Sequence, residues 1–171
     1  MKKFLLILSL AFSFIAFDSY AKSYKFEFKH SYNVYQIQTG RSGVKVVQAW
    51  AIAGNADKAI DQCKQDAVAA AIFTGLPVME GAMGVQNVPP LAASQRVYDE
   101  HKAWFDNFFK KGQFMEFVSE INSDYPTGEN NISVKGGRQI TILLGIRFEA
   151  LRKYLQDEGI LPKLQDHFQT H

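Results

Sequence analysis

The alanine-rich segment from Ala56 to Phe73 constrains the fold of this chain more than any other part of the sequence. Small apolar residues recur in it at helical spacing, and its charged residues fall mainly on the other side. These small residues are Ala56, Ala59, Ile60, Cys63, Ala67, Ala70 and Ala71. Asn55 is a suitable N-cap, and Gly75 with Pro77 ends the helix. Because its inner face is small, we expect this helix to lie close against a sheet.

Strand patterns lie on both sides of this helix. Residues 22–38 alternate between aromatic and polar side chains, and Val44 to Ala53 is almost continuously apolar, which is typical of a central strand. Val134 to Phe148 alternates strictly, with Gly136-Gly137 as a hairpin tip or a bulge. Phe114 to Ile121 fits either a strand or a helix, and its aromatic and β-branched residues favour a strand.

Two further helices are predicted. Ser94 can cap one from Gln95 to Lys111, and a shorter one runs from Glu149 to Glu158 and ends at Gly159. Strands therefore cluster at the start of the chain and again before the last helix. This order predicts an α+β fold, a mainly antiparallel sheet covered on one face by about three helices. We expect one domain over residues 22–159 and a tail over 160–171.

The first 21 residues have the layout of a cleavable signal peptide. Lys2 and Lys3 precede an uncharged run from Phe4 to Phe17, and Ser19 and Ala21 occupy the −3 and −1 positions of a cleavage site. The run is shorter than the ~20 apolar residues of a membrane span. No cysteine follows the site, so no lipid anchor is expected. The sequence predicts a periplasmic or extracellular protein with no transmembrane span in the mature chain.

Charge and cysteine content exclude two classes of protein. Without residues 1–21 the chain keeps 17 basic and 16 acidic residues (19 − 2 and 17 − 1). This balance and the absence of a basic run argue against nucleic-acid binding. The single Cys63 excludes an internal disulfide. We expect it to be a small buried side chain, with an intermolecular disulfide or a reactive thiol as the alternative.

No catalytic or metal-binding motif is present in the sequence. The chain lacks HExxH, CxxC, GxSxG and phosphate-loop patterns, and His101 lies on an aromatic helix face without a carboxylate cluster. We therefore predict no enzymatic activity, no cofactor and no metal. An anion site remains conceivable if the turn of Arg41 and Lys45 lies beside that of Lys135 and Arg138.

The segment from Leu76 to Ala93 is the candidate contact surface. It is apolar, has no period and contains four further glycines and prolines, whereas disordered loops are normally polar. It precedes an aromatic helix whose Tyr98 and Phe109 could remain exposed or pack beneath the loop. The predicted partner-binding residues are Leu76, Val78, Met79, Met83, Val85, Val88, Leu91, Tyr98 and Phe109. The same aromatic residues would serve a small-ligand or glycan-binding protein, which is the alternative function.

Two stretches carry a resemblance to known proteins. One is Val46-Val47-Gln48-Ala49-Trp50 with the alanine-rich helix that ends in Phe73-Thr74-Gly75; the other runs from Trp104-Phe105 through Phe108-Phe109 to Leu151-Arg152 and Gly159-Ile160. Together they resemble a family of exported Bacteroidota proteins that has no assigned function. More distantly, the chain is similar to small α+β domains of envelope lipoproteins and of FlgT-like flagellar outer-membrane-associated proteins. The resemblance implies an interaction or scaffold role in the cell envelope, with other envelope proteins as partners.

Overall fold

The computed structural model describes residues 22–92 and 95–163. These residues form an α+β fold, as predicted, with a five-stranded antiparallel sheet and four α-helices. The strands are β1 (Val34–Thr39), β2 (Val44–Ala53), β3 (Val118–Glu120), β4 (Asn131–Val134) and β5 (Gly137–Arg147). The helices are α1 (Ala56–Phe73), α2 (Gln95–Glu100), α3 (Lys102–Lys110) and α4 (Phe148–Asp157). None of these helices combines the length and the apolar character that crossing a membrane would require.

The sheet is built around the long pair β2 and β5. They run antiparallel in continuous register from Val44 opposite Arg147 to Ala53 opposite Arg138. β1 pairs with the other edge of β2, while β3 and β4 share the remaining edge of β5. The glycine pair is a hairpin tip between β4 and β5, because Gly137 begins the strand that returns along Val134.

Helix α1 covers one face of this sheet, and it has the bounds that its periodicity predicts. The Asn55 side chain accepts a hydrogen bond from the backbone N–H of Lys58 at 2.9 Å, and Gly75 follows the helix with a φ of +80°. Alternate residues of β2 and β5 are buried beneath the helices, namely Val47, Ala49, Ala51, Ile140, Ile142, Leu144 and Ile146. The other face of α1 is buried too, since α3 and the N-terminal segment lie over it.

The N-terminal segment corrects the first strand prediction. Residues 22–33, which we call the strap, are extended but belong to no strand, and β1 begins only at Val34. The backbone N–H of Tyr24 bonds to the carbonyl of Lys110 at 3.0 Å, which ties the strap to the end of α3. The alternation did group Tyr24, Phe26 and Phe28 on one face correctly. That face packs against helices, because aromatic side chains at every second position suit any extended segment with one buried side.

Two segments that were each predicted as one continuous element are divided into two elements in the structure. The helix expected over residues 95–111 is divided at His101, whose φ of −115° and ψ of 22° leave the helical region. The proposed cap, Ser94, lies outside the described residues. The ambiguous segment from Phe114 to Ile121 is divided as well: a 3-10 turn at Gln113–Phe117 leads directly into the short strand β3.

The C-terminal helix α4 agrees with the prediction to within one residue. Gly159 follows it with a φ of +74°. Ile160, which falls in the predicted tail, is 7% exposed and packs in the core together with Leu155 of α4. The folded part of the chain therefore extends past Gly159. His167 and His171 lie outside the described residues.

Candidate functional site

The loop between α1 and α2 is held firmly at its base. Leu76 and Val88 form an antiparallel bridge, with hydrogen bonds of 2.8 and 3.0 Å in the two directions. Gln36 of β1 donates to the carbonyl of Pro77 at 2.7 Å and accepts from the N–H of Met79 at 2.8 Å. The loop thus adds a short parallel bridge to the outer edge of β1. Its first structural role is to cover an edge that would otherwise pair with another chain.

Residues 80–86 form the tip of this loop and project away from the core. Gly81 and Gly84 both adopt positive φ, and nothing lies within 4 Å of where a Cβ would be. Met83 is 87% exposed, the highest value among the large hydrophobic residues that the structure describes. Below the tip, the Asn87 side chain accepts a hydrogen bond from the backbone N–H of Val78 at 2.7 Å. An exposed methionine on a firmly held base is suited to contact a partner.

The structure divides the predicted contact residues into two groups. Met83 is exposed, and half-buried positions are held by Val78, Met79, Val85, Val88 and Leu91. Leu76, Tyr98 and Phe109 are buried, at 0%, 7% and 0% exposure. These three residues contribute little or no accessible surface in this structure, and for Tyr98 and Phe109 burial is the alternative that the sequence left open. Partner binding by the remaining residues stays a prediction. The loop tip is the part of the predicted surface that remains available.

The strap buries the aromatic helix residues. Phe26 stacks on Phe109 with ring centroids 3.9 Å apart, and Phe28 stacks on Tyr98 at 4.8 Å. The Tyr98 hydroxyl reaches the edge of the core and donates to the carboxylate of Asp106 at 3.0 Å. The alternative of a glycan site on this helix therefore loses its aromatic platform, since the rings are already stacked on one another.

The sheet presents a second apolar surface that the sequence interpretation did not identify. Strand residues alternate between the two faces, so the neighbours of the buried Val47, Ala49 and Ala51 point away from the helices. We call this side the open face. Its apolar members are Tyr35, Val46, Trp50, Ile52, Ile132 and Leu143.

Cross-strand pairing gathers these residues into one patch. Ile52 lies opposite Gln139, which lies opposite Ile132, so three strands contribute to one row. A second row runs from Tyr35 through Gln48 to Leu143, and Trp50 lies between the two rows on β2. Ile52 is 46% exposed, Ile132 41% and Tyr35 38%. Contiguous exposed apolar area of this kind marks an interaction surface.

The open face is also unusual for the composition of its central strand. A strand that is apolar on both sides is normally buried on both sides. β2 lies between β1 and β5, and α1 covers one of its faces. No helix of the described residues covers the other, where Val46 and Trp50 remain half-buried. The composition of β2 therefore fits a sheet that is covered on its second face by something else.

A polar pocket, the edge pocket, lies where the segment 122–130 meets the open face, and Gln48, Thr141 and Leu143 line it from the sheet. Its volume is about 430 Å³, and the segment 122–130 forms much of its wall. Carboxylates of Glu120, Asp124 and Glu129 line it together with the ring of Tyr125. Lys64 holds the Glu120 carboxylate at 2.6 Å, and the Tyr125 hydroxyl donates to Asp57 at 3.1 Å. The pocket offers hydrogen-bonding groups and one exposed aromatic ring.

The remaining chemical candidates are separated or inert. Cys63 is fully buried, as predicted, and burial raises the pKa of its thiol to about 12, so the reactive thiolate is suppressed. In the part of the chain that the structure describes, no three His, Cys, Asp or Glu side chains come together as metal ligands would.

The conceivable anion site is excluded by the register of the sheet. Lys45 lies opposite Ile146 near one end of β2, and Arg138 lies opposite Ala53 at the other end. Eight residues of strand separate these ends, a distance of about 27 Å at ~3.4 Å per residue. The two basic turns therefore cannot bind one small anion.

Comparisons with protein-family models, with curated proteins and with solved structures give no match for this chain. The resemblance to exported Bacteroidota proteins and to envelope domains stays a prediction from sequence. The functional argument accordingly depends on the geometry of the open face, the loop tip and the edge pocket.

Proposed function

We propose that this chain is a non-enzymatic, exported interaction or scaffold protein of the bacterial cell envelope, which binds a protein partner through the open face. One observation carries the proposal: the central strand β2 is apolar on both sides, and the described helices cover only one of them. Burying the second side against a partner removes the exposed surface of Ile52, Ile132 and Tyr35 from water. Trp50 at the centre of the patch is the residue type that most often anchors such contacts.

The two edges of the sheet support the proposal that a partner binds the open face and not an edge strand. The loop residues Pro77 to Met79 cover the outer edge of β1, and the opposite edge consists of two short strands, β3 and β4. Short or covered edges discourage strand addition by another chain. Docking on the open face is the remaining way for this sheet to bury apolar surface.

Export is supported by the signal-peptide layout and is compatible with the fold. Cleavage after Ala21 would leave the strap complete, including the ion pair between Lys22 and Asp61. It would also keep Phe26 on Phe109, a contact that the core needs.

Photo-crosslinking in the native cell tests the proposed function. A photoreactive residue at Ile52, on the open face, is expected to give a protein adduct. The matched control is the same residue at Lys58, which is exposed on α1. Adducts at neither Ile52 nor Ile132, or equal adducts at Lys58, would contradict a partner-binding role for this face.

The loop tip supplies a second contact in the same proposal. Removing the whole loop would be a poor test, because its base pairs with β1 and closes the end of α1. Met83→Asp changes the tip alone, since this side chain is 87% exposed. Loss of a co-purifying envelope protein in this variant, with unchanged stability, would place that contact at the tip; an unchanged set of partners would exclude it.

The edge pocket favours the alternative function, that of a small-ligand or glycan-binding protein. The binding site would then be this pocket and not the aromatic helix. An exposed tyrosine with carboxylate and amide groups nearby suits a sugar, whose faces are apolar and whose hydroxyls need hydrogen-bond partners. Thermal-shift titration with envelope glycans tests it, with Tyr125→Ala as the pocket variant and Tyr35→Ala as the control. A stabilisation that Tyr125→Ala abolishes would support this function, and no stabilisation by any glycan would exclude it.

A further inference from the structure

The open face has the size, shape and charge to bind a second copy of this chain. We infer that two copies pack open face to open face, as a two-fold dimer with two sheets about 10 Å apart. This inference depends on the proposed function, because it names the partner of the same surface.

Size is the first argument. β2 contributes ten residues and β5 eleven. β1, β3 and β4 are shorter, and the five strands together have 34 residues. At ~3.4 Å per residue and ~4.8 Å between strands, the face measures about 550 Å² per copy. Two copies would bury about 1,100 Å², which is just above the ~1,000 Å² that a specific interface needs. A smaller occupant would leave part of the patch exposed.

Charge is the second argument. The outward positions near Trp50 are held by neutral groups, such as Gln48, Gln139 and Thr141. Arg147, at the end of β5, is the charged outward residue among the described strand positions. Asp124 and Glu129 line the pocket beside Thr141, so the low charge is a property of the part of the face around Trp50 and Ile52. That part offers nothing to attract a charged partner and causes no repulsion between identical copies. Homodimer interfaces are likewise more apolar and less charged than the rest of the surface.

Symmetry is the third argument. A two-fold axis through the face brings the patch of one copy onto the patch of the other, so each apolar row finds apolar side chains opposite. Ile121 and Val44 fill the place on the outer side that a side chain at Gly145 would occupy, so they add apolar surface to the face. Aligned sheets that interdigitate in this way form the core of a β-sandwich.

Sedimentation analysis of the exported chain, residues 22–171, tests the inference. Over a range of about 1–200 µM the chain is expected to be a dimer with a micromolar or lower Kd. Ile52→Lys and Ile132→Lys each place a charge in the interface and are expected to weaken the dimer tenfold or more. The matched control, Lys58→Glu, is expected to keep the dimer, because Lys58 is exposed on α1, which covers the opposite side of the sheet. Two face variants on different strands are used, so that misfolding of one does not decide the result.

Several outcomes would overturn the inference. A chain that is monomeric at every concentration would exclude a second copy as the occupant, and so would a dimer that both lysine variants leave intact. If the monomeric chain shows Ile52→Cys protected from a thiol reagent, the face is covered within one chain and a second copy is excluded. If a monomer forms adducts from Ile52 with a different protein in the cell, the proposed function stands while the second copy is excluded.

Discussion

Replacing Phe26 with alanine tests the strap, the element that most changes what the surface of this protein looks like. The Phe26 ring stacks on Phe109 at 3.9 Å and lies within 6.1 and 6.5 Å of Tyr98 and Phe73. Phe26 is half-buried, so about half of the ~1.5–3 kcal/mol for burying a large apolar side chain is lost. The stacked pair adds ~0.5–1.5 kcal/mol. Newly exposed surface on Phe109 costs about 1 kcal/mol more.

The expected loss for Phe26→Ala is therefore about 2–4 kcal/mol of unfolding free energy. For a domain of this size it corresponds to a fall in Tm of about 4–16 °C. Urea unfolding followed by tryptophan fluorescence measures the loss, and a hydrophobic dye reports the exposed ring of Phe109. Lys25→Ala is the matched control, because this neighbour is exposed and points the other way. If Phe26→Ala costs no more than Lys25→Ala, about 0.5 kcal/mol or less, the strap does not cover the aromatic helix as described.

Three further predictions test the hairpin tip, the buried thiol and the base of the loop. Gly137→Ala is expected to abolish folding or cost more than ~3 kcal/mol, because its Cβ would lie 2.0 Å from the backbone oxygen of Ala53. The matched control Gly136→Ala meets no atom within 4 Å and should cost about 1–2 kcal/mol for its positive φ. Equal losses in thermal unfolding would contradict this expectation. Burial raises the pKa of Cys63 from 9.0 to about 12, so above pH 9 the folded state binds more protons and stability falls as pH rises. Relative to Cys63→Ala, the native chain should lose about 1 kcal/mol more between pH 8 and pH 10, and parallel pH profiles would exclude this coupling. Asn87→Ala removes an acceptor 2.7 Å from a backbone N–H of the loop and should speed proteolysis at residues 80–86, while an unchanged cleavage rate would show that the loop base does not need it.

The sequence predicts most of the fold because its long elements are periodic and have clear ends. Asn55 and Gly75 mark the ends of α1, and the alternation from Ile140 to Ile146 identifies the buried side of β5. These signals depend on residues close in sequence, so they can be recognised without knowing the tertiary structure. The α+β class follows from their order.

The predictions that were wrong concern which surfaces meet. Tyr98 of α2 and Phe109 of α3 look exposed until the strap is placed over them, and their stacking partners Phe28 and Phe26 lie about 70–80 residues earlier in the sequence. Alternation in the strap shows a buried side but not whether a sheet or a helix buries it. Long-range packing of this kind cannot be derived from local periodicity.

The open face was missed for a related reason. The apolar run from Val44 to Ala53 correctly indicates a central strand, and a central strand suggests cover on both sides. Only the arrangement of the helices shows that no described helix covers the side carrying Trp50 and Ile52. The sequence does indicate that this side is buried in the functional protein, since Ile52 is an apolar residue at an outward position.

Cysteine labelling in the native cell is the most direct test of a protein that binds through its open face. Ile52→Cys and Lys58→Cys can be compared in one experiment, because the native Cys63 is buried and unreactive. A charged, membrane-impermeant maleimide should label Lys58→Cys rapidly, as export predicts and as its exposure on α1 allows. It should label Ile52→Cys at least tenfold more slowly in the cell than in the purified, diluted chain. Equal labelling of the two positions in the cell would contradict the account.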